Sequence, residues 1–139
     1  MSAAHLGRRA VRWLPVLAWM AVIFYLSAQP DLPHHPDALI DVVVKKLSHM
    51  AEYGVLAALS LWALGGPSSS IPRSHFLCAF TLTALYAVSD ELHQRFVPGR
   101  DPRPLDVGFD VAGAALALFA MSTVRRARQR PQESVEKVS

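Results

Sequence analysis

Ten polar side chains stand at the ends of apolar stretches in this sequence, at spacings that could build a site. Lys46, His49, Glu52 and Tyr53 open one apolar stretch, and Asp90, Glu91 and Gln94 close another. Asp106 and Asp110 open a third, and Arg100 lies in the loop before it. His49 and Glu52 are three residues apart, and Asp106 and Asp110 four apart, so each pair shares one face of a helix. Imidazole and carboxyl groups so placed can move protons. Arg100, Lys46 and His49 can hold a phosphate or carboxylate. Two readings therefore stand side by side. One is a polar pocket for an anionic group. The other is a catalytic or metal site built from His49, Glu52, Asp90, Glu91, His93, Asp106 and Asp110, since carboxylates with histidines suit a divalent ion.

Structural roles compete with both. Asp106 can cap a helix or favour its N-terminal dipole. Glu91 can pair in solvent with Arg95, Lys45 and Lys46 can snorkel, and Pro98-Gly99 can be only a turn. His34, His35 and His75 have no partners at ligand spacing. No HExxH, nucleophile elbow or cysteine ligand motif is present. No metal and no cofactor is expected, and no reaction is assigned.

The elements that must position these residues are four apolar blocks: Trp13 to Ala28, Leu47 to Leu64, Ser74 to Asp90 and Val107 to Val124. Their lengths sit near the lower limit for crossing a hydrocarbon core of about 30 Å. A helix on the surface of a soluble domain needs a polar face every three or four residues; LAALSLWAL and LALFAMSTV have none. The first block could be a cleaved signal peptide, with Arg8, Arg9 and Arg12 before it. Its length, and Trp13, Trp19, Phe24 and Tyr25 near its ends, instead suit a retained span with interfacial aromatics. The expected fold is an all-α membrane protein, a bundle of four transmembrane helices.

Orientation follows from the basic residues. With the N-terminus inside, nine of the 14 Lys and Arg fall on the cytoplasmic side, which favours cytoplasmic N- and C-termini. The polar residue cluster then faces outward. Residues 1–12 form a cytoplasmic segment, 13–124 the membrane domain, and 125–139 a basic, then polar and disordered, cytoplasmic tail. Between blocks, Gly65 to Ser70 reads as a flexible turn and Pro30 to Pro36 as an irregular loop; DALIDVVVKK reads as a helical continuation into the second block. Gly108 with Ala112, and Gly113 with Ala117, are small-xxx-small pairs that permit close helix contact.

Composition agrees. The chain has 139 residues, enough for one domain, with 52% hydrophobic and 18% charged residues. Its net charge of +3 comes from residues flanking apolar blocks, with no basic helix face, so nucleic acid is not an expected partner. Membrane lipids are. The lone Cys78 allows no intrachain disulfide.

At these positions the sequence resembles the VanZ-like family of small bacterial membrane proteins. The likeness runs from Trp19 to Gly113. It rests on Trp19 and Ser27, on Lys46-x-x-His49-x-x-x-Tyr53, and on Asp90-Glu91-x-x-Gln94-x-Phe96-x-Pro98-Gly99-Arg100 followed by Asp106, Asp110 and Gly113. Two places depart from the family pattern: a serine is frequent where Pro104 or Leu105 stands, and an asparagine where Asp110 stands. The resemblance implies a cell-envelope protein related to one associated with resistance to teicoplanin-type glycopeptides. It implies, as ligand, a lipid-linked cell-wall precursor or a glycopeptide, and it supplies no established reaction.

Overall fold

A computed structural model describes residues 7, 9–29, 38–66, 71–100 and 103–136. The loop from Pro30 to Pro36, His34 and His35 with it, lies outside them. Four long helices carry the fold: α1 (Leu14–Ser27), α2 (Ala38–Gly65), α3 (Arg73–Gln94) and α4 (Pro104–Glu136). No strand occurs among the described residues.

The helices match the four apolar blocks; α1 stays within its own and the other three outrun theirs. ALIDVVVKK joins the second block, so α2 is one continuous 28-residue helix. The third block runs on through the polar DELHQ to Gln94. Local chemistry sets several ends. Pro104 opens α4, where its missing N–H breaks no intrahelical bond and its fixed φ already suits the helix. Gly66, at φ 60°, ends α2 in the left-handed conformation, and its N–H reaches the Trp62 carbonyl at 2.8 Å. In the loop before α4, Gly99 takes φ 82°, and the Arg100 N–H meets the Val97 carbonyl at 3.2 Å. Pro98-Gly99 is thus the expected turn, with glycine where positive φ is needed. At the C-terminus α4 continues past Val124 to Glu136. Arg, Ala and Gln of the RRARQR run are strong helix formers and favour the helix as far as Arg130, before Pro131.

Packing centres on α2. One buried cluster joins Val16 and Ile23 of α1, Tyr53, Leu56 and Ala63 of α2, and Ala87 of α3. A second joins Ala57 and Leu61 of α2, Ala79 of α3, and Ala114 and Leu118 of α4. The large apolar side chains mostly point the other way: Leu14, Leu17, Leu77, Leu85, Leu116 and Phe119 are each more than half exposed. Ser60 and Thr83, by contrast, are fully buried. Apolar outside with small and polar inside is the reverse of a water-soluble monomer, which rarely exposes large apolar patches. Two segments, Arg9–Ser27 and Pro104–Ala127, are long and apolar enough to cross a membrane, with mean hydropathies of 1.6 and 1.7.

The closest approach is between α2 and α4. A Cβ built on Gly113 would lie 2.1 Å from the Met50 carbonyl oxygen, and one on Gly54 would lie 3.4 Å from the Gly113 carbonyl oxygen. Of the two small-residue pairs seen in the sequence, Gly113 with Ala117 makes this contact. Gly108 does not: a Cβ there would meet nothing within 4 Å. Gly113→Ala should therefore force the backbones apart and cost about 1–3 kcal/mol, the usual scale of overpacking. Gly108→Ala should be neutral. Thermal unfolding of both variants in detergent micelles checks this, and a Gly113→Ala protein as stable as the native chain would refute the close-contact reading.

Candidate functional site

One end of the bundle gathers the C-termini of α1 and α3, the N-terminal half of α2 and the first turns of α4. Helix register does the gathering. Lys46 and Met50 are one turn apart on α2, as are Phe109 and Gly113 on α4. With Gly113 seated on Met50, the preceding turns must meet as well. Lys46 forms an ion pair with Asp106 and lies over the Phe109 ring, 5.3 Å from its centroid. His49 Nδ1 lies 3.3 Å from Asp110 Oδ1, within ion-pair distance though not aligned as a hydrogen bond. Asp110 is 2% exposed and His49 about a quarter. At the mouth, burial pulls the Lys46 ammonium below the usual lysine range, while the neighbouring Glu91 acts the other way.

A second set of contacts ties α1 to this core. Ser27 donates to Asp90 Oδ2 at 2.7 Å, and Gln94 donates to the same oxygen at 3.0 Å. The Trp19 indole donates to the Glu52 backbone carbonyl at 2.9 Å, and the Tyr86 hydroxyl to the Met20 carbonyl at 2.6 Å. Arg100 grips the end of α1: its Nε donates to the Gln29 carbonyl and its terminal nitrogen to the Leu26 carbonyl, both at 3.1 Å. A cation there also suits the negative end of the helix dipole. Glu91, buried at the end of α3, takes a hydrogen bond from the Arg103 backbone, and burial pushes its carboxyl above the usual range.

Two cavities open around these residues. The larger, about 360 Å³, is lined by Asp41, Lys45, Lys46, His49, Gln94, Arg100, Arg103 and Asp106, with Val42, Gly99 and Phe109. The smaller, about 180 Å³, lies between α1 and α2, where Leu26, Ser27, Ser48, His49, Glu52 and Arg100 contribute. Asp41, Lys45, His49 and Arg100 belong to both. Four basic side chains line the larger cavity against two carboxylates, with Lys45 paired to Asp41 and Lys46 to Asp106, so the lining is net positive and favours an anion.

The ten residues singled out in the sequence thus divide. Lys46, His49, Gln94, Arg100 and Asp106 line the larger cavity, and Glu52 the smaller. Tyr53, Asp90, Glu91 and Asp110 are buried behind them. The Tyr53 hydroxyl has Asp90 and Asp110 as ionisable neighbours. His93 lines neither cavity and stacks on Phe24, with ring centroids 4.3 Å apart. Among the described residues, no three His, Cys, Asp or Glu side chains gather to hold a metal ion. Asp41 and Arg103 were not singled out, yet both line the larger cavity. Asp41 stands four residues before Lys45 and pairs with it at 2.8 Å, a spacing that marks one helix face. Tyr86 stands four before Asp90, and that spacing could have flagged it.

The fold and the polar end together define a small helical protein with two helices long and apolar enough to cross a membrane. A family model described as VanZ/LLP1 matches residues 12–125. The chain therefore belongs to the VanZ-like family. No curated protein and no solved structure matches it.

The clamp on α1 is testable. Ser27→Ala should cost about 1 kcal/mol, the scale of an interhelical hydrogen bond in a membrane. Asp90→Ala should cost more, because it strands both Ser27 and Gln94. A double-mutant cycle on Ser27→Ala and Gln94→Ala should be non-additive. Additive losses would mean that the two do not share Asp90.

Proposed function

We propose that the chain is a multi-pass protein of the bacterial cytoplasmic membrane. All four helices span it, both termini are cytoplasmic, and the polar end opens outward. The exposed apolar faces of α2 and α3, with Val55, Trp62, Leu77, Leu85 and Val88, support four spans rather than two. The Lys and Arg distribution supports the orientation.

We further propose that the outward pocket engages the anionic group of a lipid-linked envelope ligand or a glycopeptide. Through it the protein lowers susceptibility to teicoplanin-type glycopeptides, as the family resemblance suggests. One observation carries the reading: the larger cavity gathers Lys45, Lys46, Arg100 and Arg103 against Asp41 and Asp106. A lipid-linked ligand is favoured by what lies one turn deeper. Met50, Gly54 and Ala58 continue the Lys46 face of α2, and with Gly113 and Ala117 they line an open apolar groove that suits a hydrocarbon chain.

Lys46→Ala and Arg103→Ala should each weaken binding of phosphatidate to the detergent-solubilised protein about tenfold, as loss of a charge-assisted contact does. Arg126→Ala, beyond the apolar block at the far end of α4, should not. Binding is read by titration in micelles and resistance by growth on a teicoplanin-type glycopeptide at equal expression. Native affinity in both cavity variants would sink the pocket.

A further inference from the structure

We propose that the pocket is also a hydrolytic site for phosphate esters, with His49 as general base, Glu52 as general acid and Asp110 as the residue that positions His49. This rests on the binding reading above and adds a reaction to it. Three observations carry it. First, the His49 ring stands where the two cavities meet, and it lines both. Its Nδ1 is buried against Asp110, itself 2% exposed, so the ring surface left open, about a quarter of the side chain, belongs to the Nε2 edge. A carboxylate behind one nitrogen and open space before the other is the arrangement that orients an imidazole to take a proton.

Second, Glu52 lies one turn along the same face of α2 and lines the smaller cavity with His49. A carboxyl and an imidazole on one wall can serve the two ends of a displacement. Third, Lys46, Arg100 and Arg103 surround the space before His49. Cations placed there stabilise charge gathering on transferring phosphoryl oxygens. Among the described residues, the only hydroxyl lining either cavity besides Ser27, which is committed to Asp90, is Ser48 in the smaller one. Neither is paired with His49, so water is the nucleophile.

The step balances with water alone. Water oxygen bonds to phosphorus as His49 Nε2 takes one of its protons. The phosphorus–oxygen bond to the lipid alcohol breaks, and that oxygen takes the Glu52 proton. The products are the lipid alcohol and inorganic phosphate. His49 then returns its proton to Glu52, which restores both groups.

The experiment uses the full chain in detergent micelles with phosphatidate and a polyprenyl monophosphate, in water enriched in oxygen-18. The native protein should release inorganic phosphate carrying one heavy oxygen. His49→Asn should lower the rate at saturating lipid at least about 100-fold, the usual worth of a general base, while far-UV circular dichroism shows the helices intact. Glu52→Gln should flatten the alkaline side of the pH–rate profile, and Asp110→Asn should move the acid side, which a purely structural role would not do. Two outcomes overturn the proposal. Lipid that binds natively without release of labelled phosphate ends the hydrolytic step and leaves the binding site standing. Lipid that does not bind ends both.

Discussion

The seat of Gly113 on the Met50 carbonyl sets the register of everything around it. A Cβ at that position would overlap backbone, so only glycine lets α2 and α4 meet this closely. Once they meet there, helix geometry leaves no freedom one turn away. Phe109 and Asp110 must face Lys46 and His49, and Asp106 must face Lys46. Within lipid the hydrophobic effect does not draw helices together. Close backbone packing and polar contacts must do it. The contact of one glycine with a backbone carbonyl therefore also assembles the charged pairs, although it touches none of them.

α1 depends on the other means of association. It buries only Val16, Ile23 and Ser27. What holds it is a line of hydrogen bonds from Trp19 through Met20 and Leu26 to Gln29. Trp19 and Met20 are tied to Glu52 and Tyr86, while at the polar end Ser27, Leu26 and Gln29 are tied to Asp90 and Arg100 of the Asp90–Arg100 string. That changes the meaning of the string. Read in sequence it looks like a ligand site, with Arg100 on an anion. In the structure Arg100 spends two donors on α1 carbonyls, and Asp90 accepts from Ser27 and Gln94. Through Arg100 the string closes the wall of the smaller cavity and adds one positive charge to the larger.

Much of this was legible in the sequence, and the reasons differ by element. The four helices were visible because apolar blocks of membrane length have few other uses. The early start of α2 was visible too, in a stretch with helical pattern before the block, but the end of α3 was not, since DELHQ carries charges that interrupt the apolar signal without interrupting the helix. The pairing of one face with another was half visible. Spacing put His49 with Glu52 and Asp106 with Asp110, but no local signal says that Lys46 takes Asp106 while His49 takes Asp110. The same limit hid Arg100's backbone partners, which lie more than 70 residues away and offer carbonyls that any sequence would supply. Gly108 shows the opposite error. A small-xxx-small pattern permits contact but does not require it, and only Gly113 has a neighbour to admit.

The charges at the polar end do not all fit their helices. Arg100 at the C-terminus of α1 and Asp106 in the first turn of α4 lie where the backbone dipole favours them. Asp90 and Glu91 lie near the C-terminus of α3, where the dipole opposes a negative charge. Asp110 is deep in α4, beyond the reach of its N-terminus. Each of these three is nearly fully buried, and each has one carboxylate oxygen without a hydrogen-bond partner. Burying a carboxylate in this way costs free energy unless something compensates. For Asp90 the compensation is the α1 clamp, and for Glu91 it is the Arg103 backbone. For Asp110 the near neighbour is the His49 imidazole, 3.3 Å away. That ring lines both cavities, so the group that offsets the burial of Asp110 is also one that meets whatever occupies the site.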